Sequence, residues 1–360
     1  MTHSPVQPDC DSTTPADRRG LWLHRYAVFT ACMTLLLIVA GGMVTSTGSG
    51  LSVPDWPTTY HQNMFTFPVS KWVGGILYEH GHRLVASTVG FMTIILALWL
   101  QFTEPRRWLR MLGWIALLAV IGQGVLGGLT VLFLLPTWIS VFHACLAQSF
   151  FCIVISIAVF TSRSWKGRAA SVVQVGSPVM RIMCVSLVVV VFVQLLLGAL
   201  MRHTDAGLAV PDFPLAYGQL LPDLGPAAVA EYNQQRAFED FLPPVTARQI
   251  AIHLAHRLGA ILVSLVLLAT AATTLSDFGS LPMLRRLAAL AVGLLIVQIS
   301  LGAWTVLSGK QPGVATAHVA VGALILATCW IMTLRAYGFL HVVARTNATA
   351  SVPFRGATTA

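Results

Sequence analysis

Charge is scarce in this chain of 360 residues: Asp, Glu, Lys and Arg together make up 10% of it, against 56% apolar residues. A soluble domain of this size carries roughly a quarter of its residues charged, so a water-facing surface all round is excluded. The net formal charge of +9 is spread over short connections, with no basic stripe and no interleaved aromatics, which excludes a nucleic-acid surface. Cysteine is sparse too. Cys32, Cys145, Cys152, Cys184 and Cys329 fall inside apolar runs and Cys10 lies near the N-terminus, leaving neither a Cys-x-x-Cys pair nor a disulfide framework. The first 24 residues hold Pro, Asp, Ser and Thr without an apolar stretch. They are expected to form a disordered tail and not a cleaved signal peptide.

Long apolar runs, by contrast, are abundant. They lie at about Tyr26 to Val44, Leu84 to Leu100, Met111 to Leu135, Trp138 to Phe160, Ile182 to Met201, Leu258 to Leu275, Leu287 to Leu307 and Val314 to Leu334. Each is long enough to span a bilayer, so the sequence predicts an all-α integral membrane protein with eight transmembrane helices. Fifteen of the 22 Lys and Arg residues fall in the tails and in the connections near 101–110, 161–181 and 275–286. By the positive-inside rule both termini are then expected on the cytoplasmic side, or the matrix side in a mitochondrion, of a bacterial plasma membrane or mitochondrial inner membrane.

The chain repeats itself. "GSGLSVPDWPTTYHQ" at 48–62 returns as "DAGLAVPDFPLAYGQ" at 205–219, an offset of 157. "EHGHRL" at 79–84 returns as "HLAHRL" at 253–258, offset 174, and "QGVLGGLTVL" at 123–132 returns as "QISLGAWTVL" at 298–307, offset 175, which also relates His143 to His318. The expected organisation is two four-helix bundles in parallel repeat, with the extra length of the second copy in 220–248. The halves run over 25–162 and 182–335, joined by a linker at 163–181 and flanked by tails at 1–24 and 336–360. Gln-x-x-Leu-Gly-[Gly/Ala] reads as close helix packing, and the Gly- and Pro-rich segments as ordered turns on the outer side.

The repeat singles out four of eleven histidines: His82, His143, His256 and His318. Histidines inside a membrane point to function by default. Two per bundle, without a carboxylate pair or a cysteine, are too few for a zinc site and lack the thiolate of a copper site. A haem brings four nitrogens of its own and needs only two axial imidazoles, about 4 Å apart nitrogen to nitrogen. Arg83, Arg257 and Arg202 stand near the same interface as cationic candidates for haem propionates. His80 is expected at the interface on the opposite helix face from His82; His61 and His203 carry no assignment.

On these residues the chain resembles the heme A synthase family over about 25–335: two four-helix halves, "TSTGSGLSVPDWP", the E-x-x-H-R of Glu79 to Arg83, and "RHTDAGLAVP" at 202–211. The resemblance implies haem b as cofactor between His256 and His318, and haem O as substrate between His82 and His143. It implies oxidation of a haem O methyl group to a formyl group by successive hydroxylations, giving haem A for cytochrome oxidase. A haem O-producing farnesyltransferase and an electron acceptor are the implied partners besides the lipid bilayer; oligomerisation stays open. Glu79, one turn before His82 and replaced by His253 in the second copy, is the catalytic candidate, with helix capping or pairing to Arg83 as the structural alternative. Trp56 and Pro57 are placed to close over the substrate. The chain departs from the family at His253, which shares a helix face with His256, and lacks the cysteine pair that some members carry in the first outer loop. Two other readings remain: a diheme cytochrome b-like electron-transfer protein, and a haem-binding assembly or carrier protein.

Overall fold

The computed structural model describes residues 15–166, 178–238, 241–277 and 281–349. Among these residues there are ten α-helices: α1 (Pro15–Ser46), α2 (Gly75–Thr103), α3 (Arg107–Leu132), α4 (Thr137–Thr161), α5 (Arg163–Lys166), α6 (Pro178–His203), α7 (Pro226–Phe238), α8 (Ala247–Asp277), α9 (Pro282–Leu307) and α10 (Pro312–Thr349). All but α5 and α7 are long and apolar enough to cross a membrane.

The helices outrun the apolar runs. Residues 15–24, expected as a disordered tail, belong to α1; 178–181 of the expected linker belong to α6; and α10 continues to Thr349 through the expected tail at 336–360. Hydropathy reports where lipid ends, whereas the backbone ladder continues as long as residues such as Ala, Arg and Leu favour it. Residues 1–14, 167–177 and 350–360 lie outside the described residues. The insertion at 220–248 contains α7, which the apolar pattern does not reveal because its buried residues are only Tyr232 and Arg236.

Helices α1 to α4 close into a ring in which α1 touches α2 and α4, and α3 touches α2 and α4. Helices α6, α8, α9 and α10 close in the same way, with α6 and α9 each touching α8 and α10. The rings meet along α1 with α10, α4 with α6, and α4 with α10. In each ring the even members, α2 and α4 or α8 and α10, therefore stand diagonally across the bundle axis.

Apolar packing is concentrated away from the long loops. Leu23, Leu96, Leu100, Phe150 and Ile157 fill the far end of the first bundle, and Cys184, Leu187, Leu267, Leu326 and Met332 that of the second. The opposite end is the loop face, where α2, α4, α8 and α10 all begin. There α3 and α9 end alike. Leu135 N–H returns to Thr130 O at 2.7 Å and Lys310 N–H to Thr305 O at 2.8 Å, through left-handed residues Leu134, Leu135, Gly309 and Lys310. The short turns that follow start α4 and α10.

The loops after α1 and α6 share several contacts. Asp55 accepts N–H groups of Tyr60 and His61, and Asp212 those of Tyr217 and Gly218. Thr59 pairs with Gln62 and Ala216 with Gln219 in isolated bridges. The Tyr60 hydroxyl donates to Ser52 O and the Tyr217 hydroxyl to Ala209 O.

Candidate functional site

The four repeated histidines all lie in the first turns of helices that begin at the loop face. His82 is the eighth residue of α2, His143 the seventh of α4, His256 the tenth of α8 and His318 the seventh of α10. A rise of 1.5 Å per residue puts them about 10 to 15 Å below the loops. Each pair occupies diagonal helices, so its members face one another across a bundle axis. The His256 and His318 ring centroids are 6.4 Å apart at 68°.

Each ring is seated against a glycine of a neighbouring helix. A Cβ at Gly41 would come 3.1 Å from His82 Cε1, at Gly127 3.3 Å from His143 Cε1, at Gly198 3.1 Å from His256 Cε1, and at Gly302 3.0 Å from His318 Cε1. Gly127 and Gly302 belong to the Gln-x-x-Leu-Gly motif, whose small residue makes room for an imidazole. Gly41 and Gly198, related by the same 157 offset as the loops, lie in no motif that would single them out from the sequence. Among the described residues no group of three or more His, Cys, Asp or Glu side chains is arranged to hold a metal ion.

Above the first pair, Glu79 is 3% exposed. Its Oε1 meets Arg83 Nη2 at 2.7 Å and its Oε2 accepts the Val53 N–H at 2.7 Å. The pairing with Arg83 is thus present within α2, and the Val53 N–H ties Glu79 to the first loop. Arg83 further donates to Asp55 O, Thr58 O and Val53 O at 2.7 to 2.9 Å. Arg257 repeats this on Asp212 O, Leu215 O and Val210 O. The terminal nitrogens of both arginines are spent on loop carbonyls, so each loop is laced onto the helix that carries a histidine. Arg202 reaches across the two bundles instead, to Ser46 Oγ at 2.7 Å and Gly42 O at 3.3 Å, and its buried Nε has no partner among the described residues.

His253 occupies the position of Glu79 in the second half. It is 2% exposed, and its Nδ1 lies 3.0 Å from Ala206 O. His80 is fully buried, with Nδ1 3.1 Å from Thr59 Oγ1 and its ring between Phe67 and Trp72 at 5.2 and 4.7 Å. The loop folds down over it, which one-turn helix geometry cannot reveal. His61 lies exposed in the loop, and His203 ends α6, its carbonyl accepting the Thr137 hydroxyl at 2.9 Å. Trp56 lies on Gly128, whose Cβ would come 2.5 Å from the indole. It therefore roofs the helix next to the His143 seat. The Asp55 carboxyl at the centre of this loop is raised by burial, but the Thr58 hydroxyl and the His61 and Tyr60 N–H groups outweigh that and hold it at about 2.

The family described as cytochrome oxidase assembly protein matches residues 24–330, nearly the whole described bundle. The chain belongs to the heme A synthase family. It is 30% identical to the heme A synthase of Shouchella clausii over 79% of this chain and 87% of that one. It is 27% identical to that of Shewanella oneidensis over 85% and 93%, and 29% identical to that of Chelativorans sp. over 95% and 99%. Within a heme A synthase fold of this kind, everything placed at the loop face comes from the matched segment.

Proposed function

We propose that this protein makes haem A for cytochrome oxidase by oxidising a methyl group of haem O to a formyl group through successive hydroxylations. The observation that carries the reading is the diagonal pair of histidines, each ring seated on a glycine, occurring once in each bundle at similar depth. An iron between two imidazoles sets their nitrogens about 4 Å apart and their ring centres about 2 Å further. The 6.4 Å between His256 and His318 suits that arrangement.

In this reading His256 and His318 hold a resident haem b, and His82 and His143 hold haem O as substrate. Bound haem b supplies one-electron redox capacity, to be discharged to an external electron acceptor. The chain's own residues do the rest. Glu79, present in one bundle only, stabilises positive charge developing at the methyl group or takes its proton, and Arg83 and the Val53 N–H keep it on the His82 side. Trp56 limits water above the substrate. Arg83 and Arg257 are assigned to holding the loops, and Arg202, with its free Nε, to a propionate. The basic residues support a loop face directed outward and termini on the cytoplasmic or matrix side. The supplier of substrate is a farnesyltransferase that produces haem O.

Coexpression with such a farnesyltransferase, followed by chromatography of the extracted haems, tests the reading. Haem A should appear. A pigment of haem b alone would instead favour a cytochrome b-like electron carrier.

A further inference from the structure

The two histidine pairs differ in what holds their Nδ1 atoms. In the second bundle His318 Nδ1 lies 3.2 Å from the Gln298 carbonyl oxygen, and His256 Nδ1 lies 3.1 Å from Gln194 Nε2. Gln194 Nε2 also donates to the His256 carbonyl oxygen at 2.8 Å, so one carboxamide grips both the ring and the backbone of that histidine. In the first bundle Nδ1 of His82 is buried with no hydrogen-bond partner among the described residues, whereas Gln123 holds His143, donating from Nε2 to its carbonyl oxygen at 2.8 Å and facing its ring with the Gln123 backbone.

The difference is written into two positions that the repeat does not preserve. The 157 offset puts Leu37 where Gln194 stands, and the 174 offset puts Val85 where Gly259 stands. These positions depend on each other. A Cβ at Gly259 would lie 2.1 Å from Gln194 Oε1, so the carboxamide fits only because residue 259 has no side chain. Leu37 with Val85 removes both the amide and the space for it.

We infer that Gln194 is a positioning residue that fixes His256 and makes the second bundle the one that retains its haem, while His82 is left free to take up and release substrate. The inference rests on the assignment of haem b to the second bundle. An imidazole whose position is held beforehand by a neighbouring side chain ligates with little further ordering; one without such a neighbour must be ordered at each binding event. Gln194 holds His256 through the backbone bond from its Nε2 and through contact with the ring, that nitrogen lying 3.1 Å from Nδ1 and 3.4 Å from Nε2.

The test uses the purified full-length protein and follows transfer of haem b to excess apomyoglobin, together with the midpoint potential and low-spin spectrum of the bound haem. Gln194→Leu copies the first bundle, and Gln194→Met keeps the length and packing of the side chain without its amide. Both should release haem b about 10-fold faster and shift the potential. The double variant Leu37→Gln, Val85→Gly should slow release of haem O from the first bundle. Unchanged release and potential in both single variants would overturn the inference, as would an effect in the leucine variant that methionine rescues, since packing would then account for it. If His256→Ala retains haem b with an unaltered spectrum, the underlying assignment of the haem fails instead.

Discussion

Gly41 of α1 faces His82 of α2 so closely that a Cβ at position 41 would stand 3.1 Å from the imidazole Cε1. Gly198 stands in the same relation to His256. A methyl group at either place forces the ring to shift by a few tenths of an ångström, and axial ligation tolerates little displacement. Gly198→Ala should lower haem b content of the purified protein several-fold, whereas Gly41→Ala should spare haem b and lower haem A output. Pyridine haemochrome spectra and extracted-haem ratios measure both.

The four histidines should divide in the same manner. His256→Ala and His318→Ala are expected to lose haem b. His82→Ala and His143→Ala should keep it and impair haem O binding or turnover. Because His253 Nδ1 is taken by Ala206 O, His253→Ala should leave the haem b spectrum unchanged. Loss of haem b from the His82 variant with retention in the His256 variant would reverse the assignment.

Glu79→Gln separates charge from shape. Glutamine can still accept the Val53 N–H, but it loses the ion pair with Arg83, and breaking a buried pair costs about 3–5 kcal/mol when one charge is left behind. Haem A formation should fall at least 10-fold with haem b still bound. Normal haem A output from a stable variant would make the carboxylate purely structural.

Gly128→Ala should act on the first site alone. The added methyl would meet the Trp56 indole at 2.5 Å and push the aromatic roof aside, while the second half already carries Ala303 at the matching position, beneath a loop with Phe213 in place of Trp56. Haem O turnover should drop several-fold at constant haem b content.

The Asp55 carboxyl has a folded value of about 2 against 3.8 for the free group. A depressed carboxyl contributes stability above its unfolded value and loses it as pH falls through the folded one. Protease resistance of the loop at 48–74 should therefore be insensitive to Asp55 protonation above about pH 5 and weaken only toward pH 2. Asp55→Asn should weaken the loop at neutral pH. If the variant loop is as resistant as the parent, Asp55 does not pin it.

The sequence by itself determined the eight spans, because lipid demands long uncharged runs whatever the neighbouring helices do. It also singled out the four histidines and the two similar loop segments, because they recur at nearly constant offsets. It did not reveal α7, whose two buried side chains make no apolar stripe, or the burial of His80 beneath the loop that folds back over the start of its helix. The ring closures that put α2 opposite α4 and α8 opposite α10 came only from tertiary structure. So did the seating of each imidazole on a glycine, the lacing of Arg83 and Arg257 to loop carbonyls, and the grip of Gln194 on His256. Periodicity fixes which face of a helix is polar. The atom that a polar group meets is set by helix-to-helix distance and by loop return, and neither is a property of a local stretch of chain.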